Sequence, residues 1–439
     1  MESLTAAASE GRIDRRAVLF RTLCVCVGTL LAILPLAHVT GLRNALVGFI
    51  AGTAALHFRA ALWKDNPTLV PWLAWLGFAA LSILWSALPA ISFRSFRTDL
   101  LYPFVLFLAS FMLVRSRGGR LALTIGAGAG TLMSLATTIA ATIAPIDPTA
   151  DAPAPGILGW LAWKAGETVD LSTFVAFVTV PLFLVLLTSR KALYRAAVAI
   201  WLAAFAALGI MSESRTLVVS LFMSLACFVI VLGLLRGKLH PRSVLAAIGV
   251  GLIVSAVSVE VISRLRSIEP QTIYRSAALD MLAKDPRPAI WSAYLELAKQ
   301  HPWLGVGFGR ALPSKTYHLA ENAEFRRIDI HAATHAHNLL LGLVLEVGLI
   351  GFAVWLYLHI ALLRLAIQRA RRRGNREKAW AAAVVALVLS MLVKNSTNDL
   401  MVFGNALLFW SLLGAILGLV WWGSPADGPR TTLLGEGTR

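Results

Sequence analysis

The chain has 439 residues, of which 58% are hydrophobic and only 14% charged. Soluble domains carry about a quarter charged residues, so this composition excludes an ordinary soluble protein. The formal net charge of +17 would suggest nucleic-acid binding in a soluble chain, but in a membrane protein it is typical of basic cytoplasmic loops. Cys24, Cys26 and Cys227 lie within apolar segments, which predicts small buried side chains rather than a disulfide framework.

Apolar segments long enough to cross a bilayer, about 20 residues each, recur along the chain. We therefore predict an all-α polytopic membrane protein with about twelve transmembrane helices. The basic N-terminus (Arg12, Arg15 and Arg16) leads into the first segment, which we interpret as a retained helix rather than a cleaved signal peptide. The predicted segments are 19–39, 44–62, 67–87, 99–114, 120–143, 171–189, 194–211, 216–235, 242–260, 337–362, 379–395 and 401–422.

The distribution of Lys and Arg between alternate loops predicts the topology. One set of loops is basic and includes the run from Arg369 to Lys378, whereas the other set is sparse. The positive-inside rule places the basic set and both termini in the cytoplasm. Two long loops, 145–170 and 261–336, then lie outside. The predicted organisation is 1–260 with helices one to nine, 261–336 as a helical outer subdomain, 337–423 with helices ten to twelve and 424–439 as a cytoplasmic tail.

Arginines in the sparse outer loops are the first candidates for a functional site. Arg94 and Arg97 stand three residues apart in "ISFRSFRTDL", and Arg215 stands in the short polar turn "SESRT". Arginine binds phosphate bidentately and keeps its charge at any working pH. Several arginines around one cavity therefore predict a site for a polyanion such as a diphosphate-linked lipid. Snorkelling toward lipid headgroups is the alternative, most strongly for Arg43 and Arg94.

The large outer loop adds three more basic candidates. Arg264 and Arg266 follow the ninth segment in "ISRLRS". Arg287 precedes Pro288, which suits the first position of a helix, and apolar residues then recur at helical spacing through Ala298. A helix N-terminus attracts anions through its free N–H groups and its dipole. Arg287 is therefore a candidate anion ligand, whereas Arg264 also suits a lipid headgroup contact.

The stretch "THAHNLLLGLVLEVGLIG" (334–351) changes from polar to apolar where the tenth segment begins. A helix wound from His337 places Gly348 and Gly351 on nearly the same side, which predicts close approach of another helix. His337 is then a candidate general base at the mouth of a cavity, and an interfacial histidine is the alternative. Asn338 is expected to serve the helix start. Glu346, on the opposite side, needs a partner that the sequence does not name.

Three weaker signals accompany His337. "HAH", with His331 nearby, suggests metal, but no Cys or tight carboxylate cluster completes a ligand set. Asp399, before the last segment, is a candidate to orient His337 or to bind sugar hydroxyls. "HPWLGVGFGR" (301–310) resembles a phosphate-binding loop only superficially, because no GK[ST] follows. We interpret it as a tight turn within the outer subdomain.

These motifs together resemble one family. His337–Asn338 followed by Gly348-x-x-Gly351, the loop "PRPAIWSAYLELAKQHPWLGVGFG" (286–309) and the turn "SESRT" (212–216) resemble the signature of the O-antigen ligases and the related O-antigen polymerase superfamily. The ligase branch is the closer of the two in overall pattern.

The resemblance implies a GT-C-like fold and a glycosyltransferase without metal or cofactor. Such enzymes transfer O-antigen from undecaprenyl diphosphate to a sugar hydroxyl of lipid A–core, on the periplasmic face of the Gram-negative inner membrane. It implies that His337 is the general base of an inverting reaction. It also implies that Arg215 and Arg287 bind the diphosphate, with Arg266, Arg97, Arg94 and Asp399 as further substrate-binding candidates.

Three alternatives stay open at this point. A polymerase would use a second lipid-linked repeat unit as acceptor, and a protein O-oligosaccharyltransferase would use a Ser or Thr hydroxyl. A lipid or glycan transporter would belong to a different class and would show broken helices and matching halves. The sequence has no internal repeat at a fixed period, and its polar residues gather at one face. Both features favour an interfacial enzyme whose partners are membrane lipids rather than nucleic acid.

Overall fold

A computed structural model of the protein describes most of the chain. It covers residues 15–143 except 65, 156–164, 168–211, 215–238, 285–325 except 324, and 333–423, with isolated positions between 242 and 260. Within these ranges the regular elements are helical, which confirms the predicted all-helical class.

The first half of the fold contains eight α-helices in the described residues. A 3-10 turn, Ser82–Trp85, extends the third of them, and a π-helical segment, Phe96–Leu101, joins the fourth to the fifth. They are α1 Arg15–Ile33, α2 Thr40–Lys64, α3 Leu69–Leu81, α4 Pro89–Ser95, α5 Tyr102–Leu113, α6 Arg117–Ile143, α7 Gly156–Trp163 and α8 Thr168–Thr188.

The second half contains the long helix that follows the histidine stretch and the predicted helix after Arg287. Its described helices are α9 Ala192–Met211, α10 Arg215–Arg236, α11 Arg287–Ala298, α12 Leu312–Thr316, α13 Leu339–Arg371, α14 Asn375–Lys394 and α15 Phe403–Trp422.

Six helical stretches of the described chain are long and apolar enough to cross a membrane: Arg15–Ile33, Pro89–Leu113, Arg117–Ala141, Leu217–Arg236, Leu339–Arg371 and Phe403–Trp422. Shorter apolar helices lie at Leu69–Trp85, Ser172–Leu187 and Ala192–Phe205. Only isolated positions of the predicted segment 242–260 belong to the described residues. The chain is thus a multi-helix membrane protein, and the count of twelve spans stays a prediction.

Small residues allow the central helices to pack closely. A Cβ built on Gly414 of α15 would lie 2.4 Å from the Phe107 carbonyl oxygen of α5, and one on Gly418 would lie 2.6 Å from that of Phe111. The Ser110 and Ser411 hydroxyls, 2.8 Å apart, form a buried hydrogen bond between the same helices. Such contacts hold helices together where lipid removes the hydrophobic drive.

The long helix α13 is broken at Gly348, where φ is 66° and ψ is −175°. Residues 301–310, which we call the glycine loop, lie in this break. Backbone groups that a helix interruption leaves unpaired must find partners inside a membrane protein, and here the loop supplies them. Four hydrogen bonds do so: Val306 N to Leu345 O (3.0 Å), Gly307 N to Glu346 O (2.8 Å), Leu349 N to Pro302 O (2.8 Å) and Ile350 N to Trp303 O (3.2 Å).

The glycine loop is therefore more than the tight turn of an outer subdomain that we predicted. Its glycines at 305, 307 and 309 have φ values of 63°, 113° and 142°. A Cβ on Gly305 would lie 2.5 Å from the Glu346 backbone. Only glycine combines this backbone conformation with such close contact to a neighbouring helix.

Helix α11 packs on the first half of α13. Ile290, Tyr294 and Ala298 are buried in a small cluster with Phe325 and Leu345. The Tyr294 and Phe325 rings meet edge to face, with centroids 5.4 Å apart. The helix predicted from the apolar spacing after Arg287 is confirmed. Its apolar face packs against the first half of α13, which follows the histidines.

Candidate functional site

The loops expected to share the outer face do meet at one end of the helix bundle. Trp85 Nε1 donates to the Leu304 carbonyl (3.1 Å), and Ser92 Oγ donates to the Phe308 carbonyl (2.7 Å). At the same end Leu339 N donates to the Asn395 carbonyl (3.0 Å). These contacts agree with the predicted alternation of the loops. We call this end of the bundle the histidine end.

His337 lies just outside α13 rather than in its first turn. Its φ is 48°, a left-handed conformation, so the helical projection drawn from it in the sequence does not apply. Asn338 caps the helix as expected, since its Oδ1 accepts from Leu340 N (3.0 Å) and Leu341 N (3.1 Å). Gly351 does allow close approach, to Phe78 of α3, whereas Gly348 faces Trp303 of the glycine loop.

The His337 ring is half-buried between two neighbours. Its Nδ1 lies 3.4 Å from Asn398 Oδ1, and its ring centroid lies 3.9 Å from that of His335. Because an amide oxygen only accepts, Nδ1 donates in this contact. The tautomer with its proton on Nδ1 leaves the Nε2 lone pair as the basic position.

Arg310, at the end of the glycine loop, connects the histidines to a buried polar region. Its Nη2 lies 2.9 Å from His335 Nε2 and 3.2 Å from His335 Nδ1. His335 Nδ1 also lies 2.8 Å from Thr334 Oγ1. The glycine loop that fills the break in α13 therefore places Arg310 in contact with His335, next to His337.

Beneath Arg310 lies a small cavity of about 60 Å³ that we call the carboxylate cavity. Its polar lining consists of Asp99, Glu346, Asp399, Arg310 and His359. The partner of Glu346 that the sequence did not name is Gly309, whose N–H donates to Glu346 Oε2 (2.8 Å). Asp99 Oδ1 accepts from Thr98 Oγ1 (2.9 Å) and from Phe403 N (3.4 Å).

Asp399 belongs to this cavity and is only 4% exposed. It follows Asn398 in the loop, and it is Asn398 that contacts His337. Burial raises the pKa of Asp399 to about 6, with Arg310 acting to lower it and Asp99 to raise it. The sequence proposed that Asp399 orients His337. In the structure Asn398 makes the contact with the His337 ring, and Asp399 lies against Gly342 and Glu346 of α13.

Arg94 and Arg97 line a separate and larger cavity, of about 360 Å³, that we call the arginine cavity. Arg43 is the third arginine in its lining. The walls come from the chain after α1, the start of α2, the α4–α5 region and the start of α15. Arg94 and Arg97, three residues apart in the sequence, thus line the same cavity, and their role in substrate binding stays a prediction.

Arg287 stands at the first position of α11, as expected. It already has an acidic neighbour: Nη1 donates to Asp285 Oδ2 (2.9 Å), and its backbone N donates to Asp285 Oδ1 (3.0 Å). Arg215 begins α10, but its side chain lies outside the described residues, as do Arg264 and Arg266. Within the described residues no three or more His, Cys, Asp or Glu side chains form a group able to hold a metal ion.

Four side chains of this site were not proposed as site residues from the sequence, and Asn398, the partner of His337, is one of them. Arg43 was assigned to lipid contact, and His335 was considered only as a metal ligand. Arg310 was not considered, although Glu346 inside an apolar segment predicts a polar partner. The position of Arg310 at the end of "GFGR" could have identified this partner, because a loop rich in glycine can approach a helix closely.

The family comparison covers the region that holds much of this geometry. Residues 198–356 match the family model described as O-antigen ligase. The match spans just over a third of the chain, from α9 into α13, and includes Arg287, the glycine loop, the histidines and Gly348. No curated protein matches the chain.

The O-antigen ligase resemblance seen in the sequence is thereby confirmed. The family implies a membrane enzyme of the ligase or glycosyltransferase type in O-antigen assembly, with ligase-like or polymerase-like activity. It also implies lipid-linked polysaccharide and lipid substrates in a membrane.

Proposed function

We propose that the protein is an O-antigen ligase that transfers polysaccharide from undecaprenyl diphosphate to a sugar hydroxyl of lipid A–core. The observation that carries the proposal is the setting of His337 within the matched family domain. Its ring is held by Asn398 and His335 at the end of the bundle where the loops meet. We place this end at the periplasmic face of a Gram-negative inner membrane, as the loop charges predict.

The reaction transfers one proton and one glycosyl group. His337 Nε2 takes the proton of the acceptor hydroxyl while that oxygen attacks the anomeric carbon of the donor glycan. The bond from the anomeric carbon to the diphosphate oxygen breaks, and its electron pair leaves with the diphosphate. Attack opposite the leaving group inverts the anomeric configuration. A placed base of this kind contributes ~10²–10⁴-fold to the rate.

Cationic side chains stabilise the leaving diphosphate in this proposal. Arg287 stands at a helix N-terminus, whose N–H groups and dipole also favour an anion. Arg215 is assigned the same role on the family resemblance, with Arg266 as a further candidate. Fixed donors aimed at developing charge are worth several kcal/mol in a site of low dielectric. Guanidinium groups then perform the task that a divalent ion has in many diphosphate enzymes, so we propose metal-independent transfer.

The broken helix α13 also bears on the transporter alternative, because broken helices are typical of transporters. In this protein the break is filled by the chain's own glycine loop through four backbone hydrogen bonds. The carboxylate cavity beside it holds only about 60 Å³, too little for a sugar or lipid headgroup. The geometry thus favours an enzyme in which the break positions Arg310 and the histidines.

Complementation in a host strain lacking the gene tests the proposal. We would restore wild type or His337→Asn and compare lipopolysaccharide gels with the amount of undecaprenyl-linked polysaccharide. Asparagine accepts the left-handed backbone of residue 337, so the variant removes the base with little added strain. His318→Asn is the matched control, since His318 also has a positive φ of 51° and is exposed.

If the protein is a ligase and His337 is essential, the His337→Asn strain should lose the polysaccharide-capped lipopolysaccharide ladder while lipid-linked polymer persists. The His318→Asn strain should show the ladder and the polymer as wild type does. Core that carries a single repeat unit would instead identify a polymerase. Loss of glycosylated protein with a normal ladder would identify a protein O-oligosaccharyltransferase. An intact ladder in His337→Asn would contradict the base assignment.

A further inference from the structure

An apolar groove lies toward the end of the bundle opposite the histidine end. We call it the inner groove, and its volume is about 450 Å³, in the range of small-ligand sites. Helices α6, α8, α9 and α15 form its walls, with α15 contributing its second half. Leu123, Leu182, Leu412 and Ile416 are among the lining residues, and none of the described residues that line it is acidic.

Helix α6 presents two different faces around this groove. Gly126 packs tightly on α1, since a Cβ there would lie 2.5 Å from the Gly28 carbonyl oxygen. Gly128 lies about 200° further round the helix. It lines the inner groove, and a Cβ built on it meets no atom within 4 Å. Arg120 and Thr124 line the groove at the same helical spacing. One face of α6 therefore holds the bundle together, whereas the other leaves open space.

Arginines stand at one end of the inner groove. Arg120 belongs to the lining, and its Nη1 donates to the Val114 carbonyl (3.0 Å), which holds the guanidinium group in place. Arg117, about one turn earlier on α6, is exposed. Arg115 is also exposed, and its guanidinium group lies over the Trp422 ring at 4.4 Å. In the part of the chain that the structure describes, no carboxylate forms an ion pair with these arginines. Their charge is thus available to an anion.

The length of the inner groove matches one leaflet of a bilayer. Its lining residues on α6 extend from Arg120 to Leu132, which is about 18 Å at a rise of 1.5 Å per residue. The hydrocarbon core of a bilayer is ~30 Å thick, so one leaflet accounts for ~15 Å of it. A lipid acyl chain that begins at the level of Arg120 therefore fits along the groove.

The loop charges predict that this end of the bundle faces the cytoplasm. Arg115, Arg117 and Arg120 belong to the basic set of loops. The cytoplasmic leaflet carries anionic lipids, which attract basic residues close to the membrane surface. The apolar groove and the arginines at its end then match the acyl chain and the phosphate of one such lipid.

We infer that the inner groove is a binding site for an anionic phospholipid of the cytoplasmic leaflet, with an acyl chain along α6 and the phosphate at Arg117 and Arg120. The inference does not rest on the proposed function, because the groove lies away from His337 and the loops of the histidine end. Arginine binds phosphate through paired N–H groups. A zwitterionic lipid carries an ammonium group of its own, which competes for the phosphate, so the site selects lipids with a net negative charge.

Lipid titration followed by native mass spectrometry tests the inference. Full-length protein in detergent would be titrated with dioleoylphosphatidylglycerol and, separately, with dioleoylphosphatidylethanolamine, and the Kd of the first bound lipid would be measured. Gly128→Leu fills the groove with a side chain. Gly52→Leu in α2 is the matched control, because Gly52 is exposed, has equally open space around its Cβ and does not line the groove.

A second pair of variants tests the charge. Arg120→Gln removes the cation from the end of the groove. Arg236→Gln is its matched control, because Arg236 ends α10 in another basic loop and also donates to a backbone carbonyl, that of Asn375 (3.4 Å). Thermal unfolding shows whether each variant is folded. If Arg120→Gln is not, Gly128→Leu and its control decide the question.

We expect wild type to bind phosphatidylglycerol at least tenfold more tightly than phosphatidylethanolamine. Gly128→Leu and Arg120→Gln should each weaken phosphatidylglycerol binding fivefold or more, while both controls change it less than twofold. Equal affinity for the two lipids, or unchanged affinity in Gly128→Leu, would overturn the inference. Displacement of the bound phosphatidylglycerol by an equimolar amount of undecaprenyl phosphate would also overturn it, because the groove would then be a polyprenol site.

Discussion

The carboxylate cavity and the arginine cavity adjoin each other but differ in size and in charge. The first holds about 60 Å³ and combines three carboxyl groups with Arg310 and His359. The second holds about 360 Å³ and presents three arginines. Asp99 and the 402–403 backbone lie between them. A small site that combines both signs of charge suits internal positioning, whereas a larger cationic one suits an anionic ligand.

The largest expected effect separates chemistry from binding. His337→Asn in reconstituted protein should lower the transfer rate by ~10²–10⁴-fold, the usual contribution of a placed base. Affinity for undecaprenyl diphosphate and lipid A should stay within twofold of wild type, because His337 lines neither cavity. Parallel rate and binding measurements check this. Equal losses of rate and affinity would mean that His337 binds substrate rather than removing a proton.

The second prediction concerns the cost of a buried carboxylate. Because the pKa of Asp399 is raised to about 6 from the usual 3.8, its ionisation favours unfolding as pH rises between these values. Wild-type stability from this group is present below about pH 4 and lost by about pH 6. Asp399→Asn should therefore be more stable by roughly 3 kcal/mol at pH 7.5 and by under about 1 kcal/mol at pH 4.

Thermal unfolding of both proteins at the two pH values checks the prediction. The gain in stability should shrink on acidification, because the wild-type Asp399 side chain is then protonated and therefore neutral, as the amide of the Asp399→Asn variant is at every pH. A loss at pH 7.5 would show that the ionised carboxylate is held favourably by Arg310. A gain that persists at pH 4 would show that the effect does not come from the ionisation of Asp399.

The third prediction tests whether the break in α13 is required. Gly348→Ala places a Cβ 2.2 Å from the Trp303 carbonyl carbon, at a residue with φ 66°. This backbone conformation, which is essentially restricted to glycine, costs another residue about 1–3 kcal/mol, and the forced contact costs about 1–3 kcal/mol. The unfolding temperature should fall by several degrees. Gly128→Ala, in α6 with no atom within 4 Å of its Cβ, is the control and should be neutral or slightly stabilising. Equal behaviour of the two variants would contradict the packing of the glycine loop in the break.

The smallest expected effect is at the helix start beside His337. Asn338→Ala removes the cap of α13 and should cost about 1 kcal/mol of stability. Asn338→Ser should restore most of it, since serine caps nearly as well. Unfolding curves of the three proteins check this order. A serine variant as unstable as the alanine variant would assign the effect to the contact of Asn338 Nδ2 with the Ser396 carbonyl (3.0 Å) rather than to the cap.

The sequence predicted those features of the fold that depend on residues close together along the chain. Apolar segments, the helix after Arg287 and the cap at Asn338 all follow from spacing and residue type. The break at Gly348 did not, because 337–362 reads in the sequence as one continuous apolar helix. Its interruption is stabilised by hydrogen bonds to residues some 40 positions earlier.

The same distinction holds within the site. His337 and the Arg94–Arg97 pair were proposed from the sequence because their residue types are unusual where they stand. Arg310, Asn398 and Arg43 acquire their significance from tertiary contact. Arg310 reaches His335 because the glycine loop enters the helix break. Arg43 lies near Arg94 because the start of α2 and the end of α4 meet at one cavity.

Reconstituted transfer in a metal chelator tests the central claim most directly. Proteoliposomes holding the purified protein would receive undecaprenyl-diphosphate-linked O-antigen and lipid A–core in EDTA, with product followed on gels. Our account predicts transfer at an undiminished rate, because arginine side chains meet the charge of the leaving diphosphate. Transfer that stops in EDTA and returns with a divalent cation would contradict the account, as would its complete absence with both substrates present.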